Sequence, residues 1–256
     1  MFRLTEDEIE FFRENGYLIK RGLLDPELMA RARESLWENP PGQLDRDDPA
    51  TWIGPFRETS DDRDSLYSGF NWKYRRRGGE EWMIKLLAKN SSVWAIAEQL
   101  VGEGALQEPE RVRGIYCMMP EGDLPEWPYR CHVDAHPFHL GVVGYIDDVD
   151  ADGGGFNVWP GSHKDFYYTF HSQYGNDPDE RHPVVRAEYD ARQRMDCHGK
   201  AGDVVFWHHR IGHSAGHNRT RRIRQAILYD FRRKNLDDLL ETPPQENMWQ
   251  DWDGLR

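Results

Sequence analysis

No stretch of this sequence approaches the roughly 20 consecutive apolar residues that a membrane-spanning helix needs. Only 38% of its 256 residues are hydrophobic. Cysteine is scarce. Cys117, Cys131 and Cys197 are an odd number at no metal-like spacing, which argues against a disulfide scaffold and leads us to expect a reducing, cytoplasmic setting. The opening, MFRLTEDEIEFF, lacks the basic start and apolar stretch of a secretory leader. Positive charge is also short: 33 Lys and Arg against 45 Asp and Glu give −12. Such a balance suits nucleic acid poorly, because that affinity rests on cations that neutralise phosphates. The most telling absence is local. The first 131 residues contain no histidine, and all eleven lie between His132 and His217. A residue type that binds metals and moves protons is thus confined to one third of the chain.

The N-terminal half reads as helical. Thr5 and Glu8 have the spacing of a capping box, and Asn15-Gly16 is a helix stop. Tyr17-Leu18-Ile19 reads as a short strand. Asp25-Pro26 begins a second helix with a Leu28, Met29, Ala32, Leu36 stripe. Residues 40 to 80 look irregular, and one helix is expected from about 80 to 100. After residue 110 short apolar stretches dominate, at 111–119, 140–146, 156–159, 203–209 and 225–231. Their length and the Gly, Pro and Asp clusters between them predict strands of a sandwich or barrel. A polar, Pro-containing insertion interrupts them over about 165–198.

His132-Val133-Asp134 stands just ahead of one of these strands. In an extended chain, residues i and i+2 point to one face, so an imidazole and a carboxylate would aim together. With a distant histidine, the set becomes the two-His, one-carboxylate site of non-haem Fe(II) oxygenases, which leaves metal positions open. A second His-x-Asp, His163-Lys164-Asp165, lies at a turn with a lysine inside it. The distant imidazole is open among His208, His209, His213 and His217. An arginine downstream has a physical use, since the far carboxylate of a 2-oxoglutarate co-substrate needs a cation, and guanidinium meets carboxylate in a bidentate fork.

Taken together, these blocks resemble the phytanoyl-CoA dioxygenase family of Fe(II)/2-oxoglutarate oxygenases. The resemblance runs from Leu4-Thr5 through His132-Val133-Asp134, Pro160-Gly161-Ser162-His163-Lys164 and Gly202-Asp203 to His213 and Arg224, eleven residues apart. It implies a mostly β chain with N-terminal helices, a double-stranded β-helix (jelly roll, cupin-like). It implies Fe(II) on His132, Asp134 and His213, with 2-oxoglutarate and O2 as co-substrates. It places the far carboxylate of 2-oxoglutarate on Arg224, with Thr220 beside it. Where relatives often carry Ser two residues after the distal His, this chain has Ala215, so a hydroxyl would come from Ser214 or Thr220. Tyr145, on a strand expected to face inward, is a further co-substrate candidate.

The whole chain is expected to be one oxygenase domain: helical support over 1–105, a jelly-roll core over 106–235, and a tail over 236–256. Its expected activity is oxidation of a small molecule, hydroxylation by default, with release of succinate and CO2. The alternative is a jelly-roll protein that binds a small molecule without turnover. Tyr74-Arg75-Arg76-Arg77 raises the expectation of an anionic substrate, and the aromatic tail Met248-Trp249 to Trp252 that of docking on the domain or in a homodimer. No partner membrane or nucleic acid is expected.

Overall fold

The computed structural model describes residues 2–125 and 127–256. Helix α1 (Glu6–Asn15) starts at the expected box: the Thr5 hydroxyl accepts from the Glu8 amide at 3.2 Å, and the Glu8 carboxylate accepts from the Thr5 amide at 3.0 Å. It ends on Gly16, whose φ of +75° suits a residue without a Cβ. Strand β1 (Tyr17–Lys20) follows, then α2 (Pro26–Leu36), capped by Asp25 on the amides of Glu27 and Leu28.

Two N-terminal expectations are corrected. The irregular 40–80 segment contains a hairpin, β2 (Ser65–Ser68) and β3 (Asn71–Tyr74), which extends the main sheet. The helix expected over 80–100 is two, α3 (Glu81–Leu86) and α4 (Ser91–Val101). Asn90 divides them, because its side chain accepts from the amides of Ser92 and Val93 and so starts a new helix.

Five later strands lie where the apolar stretches put them: β4 (Gly114–Met118), β5 (Leu140–Tyr145), β6 (Phe156–Val158), β8 (Val204–His208) and β10 (Arg224–Phe231); β9 (His213–Ala215) lies outside those stretches. The insertion supplies α6 (His182–Asp190) and the two-residue β7 (Met195–Asp196), after the short α5 (Ser162–Tyr167). Helix α7 (Leu236–Leu239) leads into the tail. A seven-stranded sheet runs β1-β8-β5-β10-β4-β3-β2, and a three-stranded sheet runs β7-β6-β9, with antiparallel pairing throughout. This is the jelly roll.

Period-2 alternation divides the core. Val143, Tyr145, Val205, Trp207, Ala226 and Leu228 face inward and meet Phe156 and Val158 of the small sheet. Leu140, Val142, Val204, Phe206 and Ile227 face outward beneath the helices. Gly141 is required here, since a Cβ on it would sit 2.1 Å from the Trp207 ring. The tail docks on its own domain: Trp252 is fully buried beside Phe12 and His208, with Trp249 next to it. The reason the tail offered for a homodimer is therefore gone. Among the described residues no helix is long and apolar enough to cross a membrane.

Candidate metal centre

Two distant segments meet as a backbone pair. The His132 amide donates to the His213 carbonyl at 3.2 Å, and the His213 amide to the His132 carbonyl at 2.8 Å. Gly212 allows this approach, because a Cβ there would lie 2.3 Å from Cys131 Sγ. On the other side, Asp190 at the end of α6 accepts from the Cys131 amide at 2.6 Å, so the insertion braces the segment that carries His132. The two imidazoles then lie side by side with centroids 4.5 Å apart. Two residues on, Asp134 brings Oδ2 to 3.7 Å from His213 Nε2. One ligand atom from each of His132, Asp134 and His213 lies within 4.8 Å of the others, the only such group of three among the described residues.

The protonation states fit a cation. His213 Nδ1 lies 3.0 Å from the Ile211 carbonyl. A carbonyl only accepts, so Nδ1 carries the hydrogen and Nε2 keeps its lone pair. The ring packs parallel to Phe156 at 5.2 Å. His132 is walled by protein although one edge meets solvent. Desolvation by the surrounding protein, the largest cause, pushes its pKa down to about 4, leaving a neutral ligand at pH 7. Enclosure alone would raise the Asp134 carboxyl, but His213 and Arg113 outweigh it and hold it below its ordinary value. Asp134 Oδ2 is nevertheless buried with no hydrogen-bond partner. A buried carboxylate oxygen without a donor is costly, and a divalent cation between it and the two lone pairs would remove that cost. The residues present fit Fe(II).

Arg224, at the start of β10, is buried. Its Nε donates to the Gly154 carbonyl at 2.7 Å and its Nη1 to the Tyr116 carbonyl at 2.9 Å. Nη2 makes no hydrogen bond and no carboxylate is within ion-pair distance among the described residues, and burial pulls the guanidinium pKa down. A buried cation held by neutral carbonyls calls for an anion.

The hydroxyls of the other two co-substrate candidates are already engaged. The Tyr145 hydroxyl donates to the Cys197 carbonyl at 2.6 Å and accepts from the Phe156 amide at 3.0 Å. It pins the two sheets together and has no proton left for a carboxylate. Thr220 Oγ1 donates to Asn218 Oδ1 at 2.7 Å and accepts from the Arg222 amide at 3.2 Å, which closes a turn. Ser214 Oγ, in contrast, is buried and unpartnered.

The remaining histidines lie outside the triad. His208 stacks on Trp252, and His209 Nε2 donates to the Gln173 carbonyl at 2.8 Å. His163 Nε2 donates to the Arg13 carbonyl at 3.0 Å. His217 bonds Glu121 and the Trp127 carbonyl. His136 lines a cavity of about 880 Å³ beside the triad, with Tyr116 and Arg113 on the same wall. Arg113 Nη1 lies 3.5 Å from Asp134 and 3.4 Å from Asp230, and Asp230 also meets His136 at 2.7 Å. Arg113 and Asp230 were not singled out by the sequence reading. Each lies at the edge of a strand-like stretch, and nothing in their spacing marks them. Trp207 is fully buried core.

Two imidazoles and one carboxylate on a jelly roll are the donor set of the non-haem iron oxygenases. The model described as Phytanoyl-CoA dioxygenase (PhyH) matches residues 12–226. The chain belongs to the phytanoyl-CoA dioxygenase family and is thereby an Fe(II)/2-oxoglutarate-dependent oxygenase by class. No curated protein matches its sequence. Among solved structures it resembles the non-heme alpha ketoglutarate dependent carbocyclase SnoK from nogalamycin biosynthesis, with 22% identity, TM-score 0.58, and coverage of 97% of this chain and 95% of that one. The epimerase SnoN, in complex with Fe3+, alpha ketoglutarate and nogalamycin RO, is 21% identical with TM-score 0.56, covering 91% and 88%. HygX from Streptomyces hygroscopicus, with nickel and 2-oxoglutarate bound, is 14% identical with TM-score 0.57, again covering 91% and 88%.

Proposed function

We propose that the chain is a single-domain dioxygenase that hydroxylates a small molecule, using Fe(II) held by His132, Asp134 and His213 and 2-oxoglutarate anchored by Arg224. The observation that carries this is the convergence of three ligand atoms within 4.8 Å of one another, one of them a buried carboxylate oxygen that makes no hydrogen bond. Solved proteins of the same fold support it, since HygX holds nickel and 2-oxoglutarate and SnoN holds Fe3+ and alpha ketoglutarate. When bound, the metal with its co-substrates supplies a two-electron oxidation: substrate C–H, 2-oxoglutarate and O2 give C–OH, succinate and CO2.

The chain's own residues do the positioning. Ile211 fixes the His213 tautomer, so that Nε2 stays a ligand. Arg113 shares its charge between Asp134 and Asp230 and so sets the direction of the metal-binding carboxylate. Arg224 offers Nη2 to the far carboxylate, with its orientation fixed by the carbonyls of Gly154 and Tyr116.

The test is succinate release from Fe(II), 2-oxoglutarate and O2. Wild-type protein should form succinate slowly without a substrate, whereas Arg224→Ala should need at least about tenfold more 2-oxoglutarate for the same rate. No succinate from the wild type with any added compound would point instead to a jelly roll that binds without turnover.

A further inference from the structure

The cavity beside the triad is built for charge. Of its fourteen lining residues five are arginines and four are acids, and Val112 is the only aliphatic one. Two of the acids are already engaged: Glu108 with Lys89 at 3.3 Å, and Asp230 with Arg113 and His136. Among the arginines only Arg113 is paired, while Arg63, Arg75, Arg111 and Arg232 have no carboxylate within ion-pair distance among the described residues. Four unpaired cations thus face two unpaired acids, Asp64 and Glu110.

The excess is focused at one ring. Lys73 and Arg75 alternate onto the same face of the β3 segment, and both lie over Tyr116 of β4, at 5.3 and 5.7 Å from its centroid; Arg113 lies at 5.4 Å. Arg75 Nη2 donates to the Tyr116 hydroxyl at 2.9 Å, which leaves the phenolic proton free to donate. Arg75 Nε is buried and has no partner. Its neighbours in sequence behave differently, because Arg76 faces Asp62 at 3.8 Å and Arg77 is bound by Glu38 and Glu80. Of that basic run, only Arg75 turns into the cavity. The same Tyr116 gives its carbonyl to Arg224, so this cationic spot adjoins the co-substrate anchor on one side and, through Arg113, the metal ligand Asp134 on the other.

We propose that Arg75 and the Tyr116 hydroxyl, with Lys73 adding charge, bind an oxyanion group of the substrate, and that the substrate is otherwise polar and not a long acyl chain. This rests on the oxygenase reading of the neighbouring triad. An aliphatic tail would find one aliphatic wall residue and four unpaired guanidinium groups, which it could not satisfy. An oxyanion gives Arg75 a charge-assisted partner and accepts the phenolic proton. Carboxylate and phosphate or sulfate esters share this chemistry.

The test uses the protein loaded with Fe(II) and saturating 2-oxoglutarate under nitrogen, so that Arg224 is occupied. Acetate, sulfate and neutral acetamide are titrated by calorimetry. The charge-transfer absorption of the Fe(II)–keto acid chelate is followed in parallel. Acetate or sulfate should saturate a site and acetamide should not, and the better anion distinguishes planar from tetrahedral headgroups. Arg75→Gln should weaken the anion about tenfold or more, Tyr116→Phe less, and Arg75→Lys least, all with the absorption band retained. Retention of the band shows that a variant has folded. Equal binding of acetamide, no saturable anion, or unchanged binding in Arg75→Gln and Lys73→Gln would each overturn the proposal. A wild-type protein that binds the anion through Arg75 but never forms the band would overturn the oxygenase reading and leave the anion site standing.

Discussion

The molecule holds two histidine-rich regions with opposite chemistry. At the triad, His132 and His213 flank a carboxylate whose Oδ2 makes no hydrogen bond, and a cavity opens alongside. Under the C-terminal tail, His139, His163, His208 and His209 are also packed together, but with Trp249, Trp252 and Tyr174. No acid joins them in a three-ligand group among the described residues. Their company is cationic instead: Arg210 is buried there, donating to the Gln173, Ser172 and Gly175 carbonyls, and burial pulls its pKa to about 9. Imidazoles alone do not make a metal site. A negative charge within reach and a face left open by the packing separate the first region from the second.

Breaking the carboxylate should have the largest effect. Asp134→Ala is expected to lower Fe(II) affinity by about 100-fold or more, as read by anaerobic metal titration, while far-ultraviolet circular dichroism stays unchanged. Breaking the tail region should instead cost stability. Trp252→Ala removes a fully buried indole and should destabilise the fold by about 3–5 kcal/mol in denaturant titrations, with one Fe(II) still bound.

Acid should test the buried histidines under the tail. Burial, which dominates, pushes His139 to about 3 and His163 to about 4, and holds His208 and His209 well below their ordinary value, with Arg233 and Arg210 adding to it. These rings stay neutral when folded and take up protons near pH 6.5 when unfolded. The contribution is therefore intact above about 6.5 and is lost as the pH falls toward 4, by up to about 1.4 kcal/mol per pH unit for each group. Denaturant titrations should show stability falling from pH 7 to 5, and a flat profile would contradict neutral burial. The smallest effect is expected at the pin between the sheets. Tyr145→Phe should cost about 1–2 kcal/mol of stability and leave the 2-oxoglutarate affinity unchanged, whereas a weaker hold on the co-substrate would restore Tyr145 to that site.

Much of this was legible in the chain, and for physical reasons. The Thr5–Glu8 box and the short apolar stretches bounded by turn residues are local signals, and the fold follows them. His132-x-Asp134 carried its own geometry, because i and i+2 share a face. The partner could not be read locally. Four histidines competed, and residue chemistry alone does not tell His208 from His213. The motif spacing of the family resemblance singled out His213, and the backbone pair with His132 brings it to the triad. The β2–β3 hairpin was hidden because each strand is only four residues long, too short for the Trp72 and Tyr74 alternation to stand out amid a Pro-, Gly- and Asp-rich segment, and it forms by adding to the edge of a sheet already present. For Tyr145 and Thr220 the sequence shows a hydroxyl but not that a backbone amide or a neighbouring side chain already engages it. Arg113 and Asp230 were silent, since their role exists only where strands far apart in the chain converge.

The central claim is that one ferrous ion binds among His132, Asp134 and His213. Its most direct test is anaerobic Fe(II) stoichiometry in the wild type, His213→Ala and His208→Gln. The account predicts one ion per chain in the wild type and in His208→Gln, and none retained in His213→Ala after desalting. Iron retained by His213→Ala but lost from His208→Gln would contradict it.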